Sequence, residues 1–528
     1  MHRRTLLQGA ALGGLALASP TLAQPARPST LRFVPQANLT ALDPIWTSAI
    51  VTQMHGYHVY DTLYGVDGQQ RPQPQMAEGH TVSDDKRTWR ITLRPGVRFH
   101  DGELVRAQDA AASLERWSKR DPFGQILAKV VERWGAADDR TLEIKLTKPF
   151  PLLLDAIAKP DANVAFIMPE RLAKTDANTQ IAEVTGSGPY RFLKDEFVAG
   201  SRAAYAKNDA YVPRDGAADW TSSGKVAHFD RVEWHILPDP STAVAALSNG
   251  EVDWVDQPLA DLIPSLARNR NVKIDTLATA GFLSLMRLNH LHPPFDNPKV
   301  RQAVALAVNQ SDYMGVTLGD DRSVWRECHS LFPCGTPYGT ENLSPLNAAP
   351  RSLDRAKAAL AESGYKGEKV VIINPTDFPL IGPHGQLTAD VLKRVGFNVD
   401  LIESDWGTVV QRRASREPVD KGGWSIFHTY GSAMSYINPA VSSLVKGAGP
   451  SGWFGWYTSP EMEETIQTWL DAPDAAAQLR IADAVNKKAQ DEVATVPLGQ
   501  FFIRTAYRSN LTGFVKGSMP YPWGVRPA

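Results

Sequence analysis

Residues 84–117 read DDKRTWRITLRPGVRFHDGELVRAQDAAASLERW. Trp89, Ile91 and Leu93 alternate with Arg90, Thr92 and Arg94, the period-2 pattern of a half-buried strand. Pro95-Gly96 turns the chain, Val97 and Phe99 resume the alternation, and Asp101-Gly102 turns it again. From Ala107 the period becomes helical, with Ala107, Ala110, Ala111, Leu114 and Trp117 on one face. Nothing in the stretch has a catalytic arrangement. It reads as scaffold of an α/β unit.

The whole chain is 528 residues long. At roughly 150 residues per domain, about three or four structural units are expected. A hydrophobic content of 43% with 21% charged residues is that of an ordinary globular protein. The formal net charge is −1, and no basic stripe is present, which argues against a nucleic-acid partner. Past the first two dozen residues no apolar run is long enough to span a bilayer. The 14 tryptophans are more than composition alone suggests; most are expected in the core, and such usage also fits a site lined with aromatic faces.

The N-terminus reads as a targeting segment. Arg3-Arg4 precede an apolar run, and Thr21-Leu22-Ala23 fits a small-x-small cleavage site, so residues 1–23 are expected to be a signal peptide. The Arg pair resembles a twin-arginine signal, with His2 where Ser or Thr is usual, and the general secretory route stays open. Export places Cys328 and Cys334 in an oxidising space, where a local disulfide is expected. Two free thiols and a metal site are the alternatives. The metal reading is weak, because only His329 accompanies the two sulfurs.

Residues 84–117 resemble the W-x-x-x-L-R-x-G-V-x-F-H-D-G signature of the family 5 extracellular solute-binding proteins, the peptide/nickel/opine group of ABC-importer receptors. Further strings agree in order: Leu42-Asp43-Pro44 and Asp61-Thr62-Leu63, Gly186 to Tyr190, Gly250 to Asp253, and Pro293 to Val304. Arg106 departs from the family's Thr at a helix start. A lost cap hydroxyl costs about 1 kcal/mol, partly offset by Asp109 in the first turn. The resemblance implies an α/β, two-lobed periplasmic-binding-protein fold with a hinge and an extra small subdomain in the first lobe. The expected divisions are 24–66 (first lobe), 67–186 (small subdomain), 187–285 (first lobe), 286–498 (second lobe) and 499–528 (return to the first).

The same resemblance implies a periplasmic receptor that would trap a small solute by hinge closure and deliver it to an inner-membrane ABC permease. It is expected to be a monomer and no enzyme, with no cofactor and no resident metal. His55 with His58, and His290 with His292, have spacings that can hold a metal, but neither pair has a carboxylate cluster beside it. Family loops point to Trp46 and Thr47 as ligand contacts, against the alternative that Trp46 only packs its helix. Asn289, Trp406, Trp424, Phe427, His428, Thr429 and Tyr430, with Trp453, Trp456 and Tyr457, complete the candidate set. Trp424 and Phe427 also read as plain core-strand residues. Peptide-binding relatives carry an acidic residue soon after this Trp, for the peptide's ammonium, and an Arg before the preceding helix. This chain has Ile426, Phe427 and His428 in the first place and Ile381 to His384 in the second. A desolvated ammonium without a carboxylate is costly, so the ligand is expected not to be a peptide with free termini. Residues 84–117 are expected to be peripheral, touching little ligand. The rivals are a secreted hydrolase, for which no G-x-S-x-G, H-E-x-x-H or paired-carboxylate motif appears, and a non-transport receptor or chaperone on the same fold.

Overall fold

The computed structural model describes residues 29–528 except 341, 345, 347–350 and 473. The targeting segment lies outside the described residues. Three sheets organise the chain. The first has seven strands in the order 190–192, 202–207, 231–235, 30–34, 254–255, 505–508 and 272–275. The second has six, in the order 325–326, 496–501, 282–288, 426–432, 369–375 and 398–404. The third is a four-stranded antiparallel sheet of 77–82, 88–93, 141–146 and 131–136.

The decisive stretch folds as its pattern requires. Strand Thr88–Leu93 buries Trp89, Ile91 and Leu93 while Arg90 is exposed. Helix Ala107–Ser118 lays Ala107, Ala110, Leu114 and Trp117 on the small sheet's core. At its start the Asp109 carboxylate accepts the Arg106 backbone N–H at 2.8 Å and the Glu170 N–H at 2.8 Å. Half of a capping box thus survives without the cap hydroxyl.

In the second lobe, Lys369–Pro375 and Asn398–Ser404 pair in parallel and are joined through helix Gly382–Val395, a parallel crossover. Gly396 ends that helix at φ +118°, where a side chain would be strained. Strands Phe282–Leu288 and Val496–Phe501 both lie wholly in the second sheet. The chain therefore crosses between 275 and 282, and again between 501 and 505, a few residues from the expected divisions at 285/286 and 498/499. Residues 496–508 form two strands and not one, because Phe502 to Arg504 make the crossing.

Cys328 and Cys334 form a disulfide, with Cα atoms 5.8 Å apart. His55 and His58 sit in the first lobe's core. His55 Nδ1 lies 2.9 Å from the Tyr205 hydroxyl and His58 Nδ1 2.8 Å from the Met54 carbonyl. Burial pushes their pKa values down to about 3 and about 4. His290 and His292 follow the end of their strand, in a loop. His290 is packed edge-on to Tyr457, and His292 Nε2 meets the Arg416 carbonyl at 2.8 Å.

Candidate functional site

A cavity of about 500 Å³ lies between the two lobes. Its first-lobe wall comes from the loop before helix Ile50–Val59, the end of helix Ala107–Ser118 and the turn at 161–163. Its second-lobe wall comes from Trp406 to Arg416, the end of strand Ile426–Ser432 and the loop 450–456.

Of the sequence-derived candidates, Trp46, Thr47, Trp406, Thr429, Tyr430, Trp453 and Trp456 line this cavity. The Trp46 carbonyl accepts from Arg120 Nη2 at 3.0 Å, and that guanidinium lies over the Trp46 ring. Trp406 opens a short helix N-capped by Asp405, and its own N–H is held by Asp377 at 2.7 Å. The Tyr430 hydroxyl crosses to the first lobe and donates to Gln257 at 2.8 Å.

Asn289, Trp424, Phe427, His428 and Tyr457 do not line it. Side chains alternate along a strand, so Phe427 and His428 face opposite sides of the second sheet. His428 packs toward helix Gly382–Val395, with Nε2 2.8 Å from Thr388 Oγ1, and burial holds its pKa far below the ordinary histidine value. Phe427 and Trp424 form a layer behind the wall, with ring centroids 5.0 Å apart. The Trp424 indole donates to the Arg413 carbonyl at 3.1 Å. Asn289 ties two loops together, donating to the Trp424 carbonyl at 2.9 Å and accepting from Leu291 N–H at 3.1 Å. Tyr457 turns away from Trp456 and donates to the Glu492 carboxylate.

The aromatic loop is positioned by a buried cation. Arg287 Nε donates to the Phe454 carbonyl at 2.7 Å, and its Nη1 donates to both the Ala494 carbonyl and the Thr495 hydroxyl. Gly455 has φ +98°, and a Cβ there would meet the Leu288 carbonyl at 2.5 Å. Strained backbone collects at the cavity. Ala162 (φ +42°), Asn163 (φ +20°) and Trp456 (φ +50°) all line it, and such conformations persist only where surrounding structure fixes them. Gln53 Oε1 takes the Ala162 N–H at 2.9 Å, and the Trp117 indole donates to the Asn163 carbonyl at 2.6 Å. The opening stretch itself lines no part of the cavity. Its Trp117 braces the cavity turn, and the helix ends by delivering Lys119 and Arg120 to the wall.

The charged wall residues escaped sequence reasoning. Arg413 is 2% exposed, and no carboxylate pairs with it among the described residues. Its Nη2 donates across the lobes to Thr47 Oγ1 at 3.0 Å, and Nε has no partner. Trp406, Phe427 and Phe454 surround it, with ring centroids 5.1–5.7 Å from Cζ. Burial lowers its pKa only to about 10, so it stays charged at neutral pH. Asp161 is 1% exposed, with neither carboxylate oxygen hydrogen-bonded. Burial pushes it up to about 6, opposed by the Ser432 and Ser518 hydroxyls and the Lys159 charge. Lys446 is also buried, and burial lowers it to about 8.

The family described as "Bacterial extracellular solute-binding proteins, family 5 Middle" matches residues 71–448. The chain belongs to this family. A probable peptide ABC transporter periplasmic-binding protein of Sinorhizobium fredii is 35% identical over the full length of both chains. A glutathione-binding protein of Salmonella typhi is 27% identical over 95% of each. Among solved structures, the agropinic-acid complex of a binding protein from A. tumefacien R10 superposes with a TM-score of 0.78 at 21% identity, covering 94% of this chain and 99% of that one. A peptide complex of a Helicobacter pylori periplasmic binding protein also gives 0.78, at 20% identity, covering 94% and 98%. The two-lobed α/β fold expected of this solute-binding protein is thus the observed one.

Proposed function

We propose that the protein is the periplasmic receptor of an ABC importer, taking one small solute between its lobes and presenting the closed form to a membrane permease. The observation that carries this reading is the interlobe cavity, walled by both lobes and bridged by Arg413–Thr47 and Tyr430–Gln257. Hinge closure around a ligand is the motion such a geometry serves. Trp46, Thr47, Trp406, Thr429, Tyr430, Trp453 and Trp456 are the contacts we assign from the candidate set. Asn289, Trp424, Phe427, His428 and Tyr457 act behind them.

The solute is not a peptide with free termini. The one carboxylate on the cavity wall among the described residues is Asp161, whose oxygens are closed off and whose pKa burial raises. A hydrolase is disfavoured, since the lining serines, Ser48, Ser432, Ser435, Ser443 and Ser451, have no histidine among the described lining residues. The test is a thermal-shift screen of the purified protein followed by recovery of any stabilising solute. The expected result is a raised melting temperature with the solute recovered unchanged. Turnover of the solute would sink the non-enzymatic reading.

A further inference from the structure

The cavity wall carries an unbalanced charge. Its described lining residues include Lys119, Arg120, Arg413, Arg416 and Lys446, against the single acid Asp161. Lys119 is exposed and paired with Glu115. The other four cations have no carboxylate at ion-pairing distance among the described residues. Arg120 and Arg416 spend donors on the Trp46 and Pro450 carbonyls and lie over the rings of Trp46 and Trp456. Arg413 and Lys446 are the deeper pair, both more than nine-tenths buried.

A buried cation without a counter-ion is costly, and proteins ordinarily pair it. Here the partner oxygens on the protein side are one hydroxyl, Thr47, for Arg413 and, among the described residues, none for Lys446, which Glu463 and Asp121 reach only through space. The cations also come from both lobes, Lys119 and Arg120 from the first, Arg413, Arg416 and Lys446 from the second. Closing an empty cleft brings them together. Arg120 is held below the ordinary arginine value by burial first, and also by the charges of Arg116 and Arg416, against the pull of Asp43. An anion between the lobes removes that repulsion and supplies the missing acceptors, so closure and binding favour each other.

We propose that the solute is a net-anionic organic acid, seated with one carboxylate-class oxyanion on Arg413 and a second acceptor group toward Lys446, its body against Trp406, Trp453 and Trp456. This rests on the receptor reading above and adds the chemical class of the ligand. Arg413 is suited to the first role because a planar guanidinium binds an oxyanion through two parallel N–H donors. Its aromatic surround fixes the plane without consuming those donors. Affinity is then expected to fall as ionic strength rises.

The test starts from solute released by denaturing the freshly purified protein, its charge read by high-resolution mass spectrometry. If none is carried, the probe is a small-molecule extract of the producing cells, split on an anion exchanger into retained and unretained fractions. The probe is titrated into refolded wild type, Arg413→Gln, Arg413→Lys and Lys446→Gln, with circular dichroism confirming that each folds. The expected result is a net-negative solute, or stabilisation by the retained fraction alone. Binding should weaken at least tenfold in Arg413→Gln and less in Arg413→Lys. A net-neutral or cationic solute, stabilisation by the unretained fraction, or undiminished binding by Arg413→Gln overturns the anion assignment and leaves the receptor reading standing. No carried solute together with no stabilisation by either fraction contradicts the receptor reading, and the anion assignment with it.

Discussion

Trp424 illustrates what a side chain's position does to its role. It is 1% exposed and backs both Trp456 and the Arg413 carbonyl rather than facing the cavity. Trp424→Ala is therefore expected to cost about 3–5 kcal/mol of stability, as large core truncations do; urea unfolding measures it. A loss below about 1 kcal/mol would return Trp424 to the surface of the site. Asp161 gives a pH prediction. Its folded pKa is raised, to about 6 from 3.8, so the native state binds its proton more tightly than the unfolded one. Stability is then greatest below the unfolded value and is lost as pH rises through about 4 to 6. Ser432, Ser518 and Lys159 oppose the shift, while Tyr57, Tyr436 and Tyr521 face the same carboxylate. Asp161→Asn should flatten that window and raise stability at pH 7 by something on the order of 2 kcal/mol. An unchanged pH profile in chemical denaturation would contradict the assignment. None of this was legible beforehand. Nothing local in the sequence marks Asp161 or Arg413 as unpaired, since pairing depends on residues far away in the chain. His428 was different: alternation from Phe427 already places it on the other face of its strand.

At the scale of elements, the loop 450–456 depends on Arg287 and on Gly455. The aromatic run Gly452 to Tyr457 was legible as a candidate wall; of its aromatic rings, Trp453, Phe454 and Trp456 line the cavity and Tyr457 does not. The selecting device is the φ +98° turn at Gly455, under the Leu288 carbonyl. Gly455→Ala should displace the loop and weaken solute binding at least tenfold, while unfolding stability falls by about 1–3 kcal/mol; calorimetric titration reads the first. Equal affinity would show that the loop is not part of the site. The Cys328–Cys334 bridge closes a short loop away from the cavity lining. Replacing both cysteines by serine should cost about 2–3 kcal/mol and leave solute affinity unchanged. A loss of affinity would place that loop in the binding mechanism. Strands and helices themselves were read well where their period was strong, as in Thr88–Leu93 and helix Ala107–Ser118. The crossing at 502–504 was not legible, because the short β-prone run Phe501-Phe502-Ile503 does not reveal that the strands on either side of it belong to different sheets.

For the whole molecule, the order of signature strings carried the architecture, and the cavity followed from it. What the strings did not carry was the interlobe register, which sets Thr47 beside Arg413 and Tyr430 beside Gln257. Both contacts cross the cleft, so they belong to the closed arrangement of the lobes. The account's central claim is that a solute is held intact by this closure. Small-angle X-ray scattering on solute-stripped and solute-loaded protein tests it most directly, with the solute recovered and weighed afterwards. The predicted result is a smaller radius of gyration in the loaded protein and a solute of unchanged mass. An identical radius of gyration in the two states, or a chemically altered solute, would contradict it.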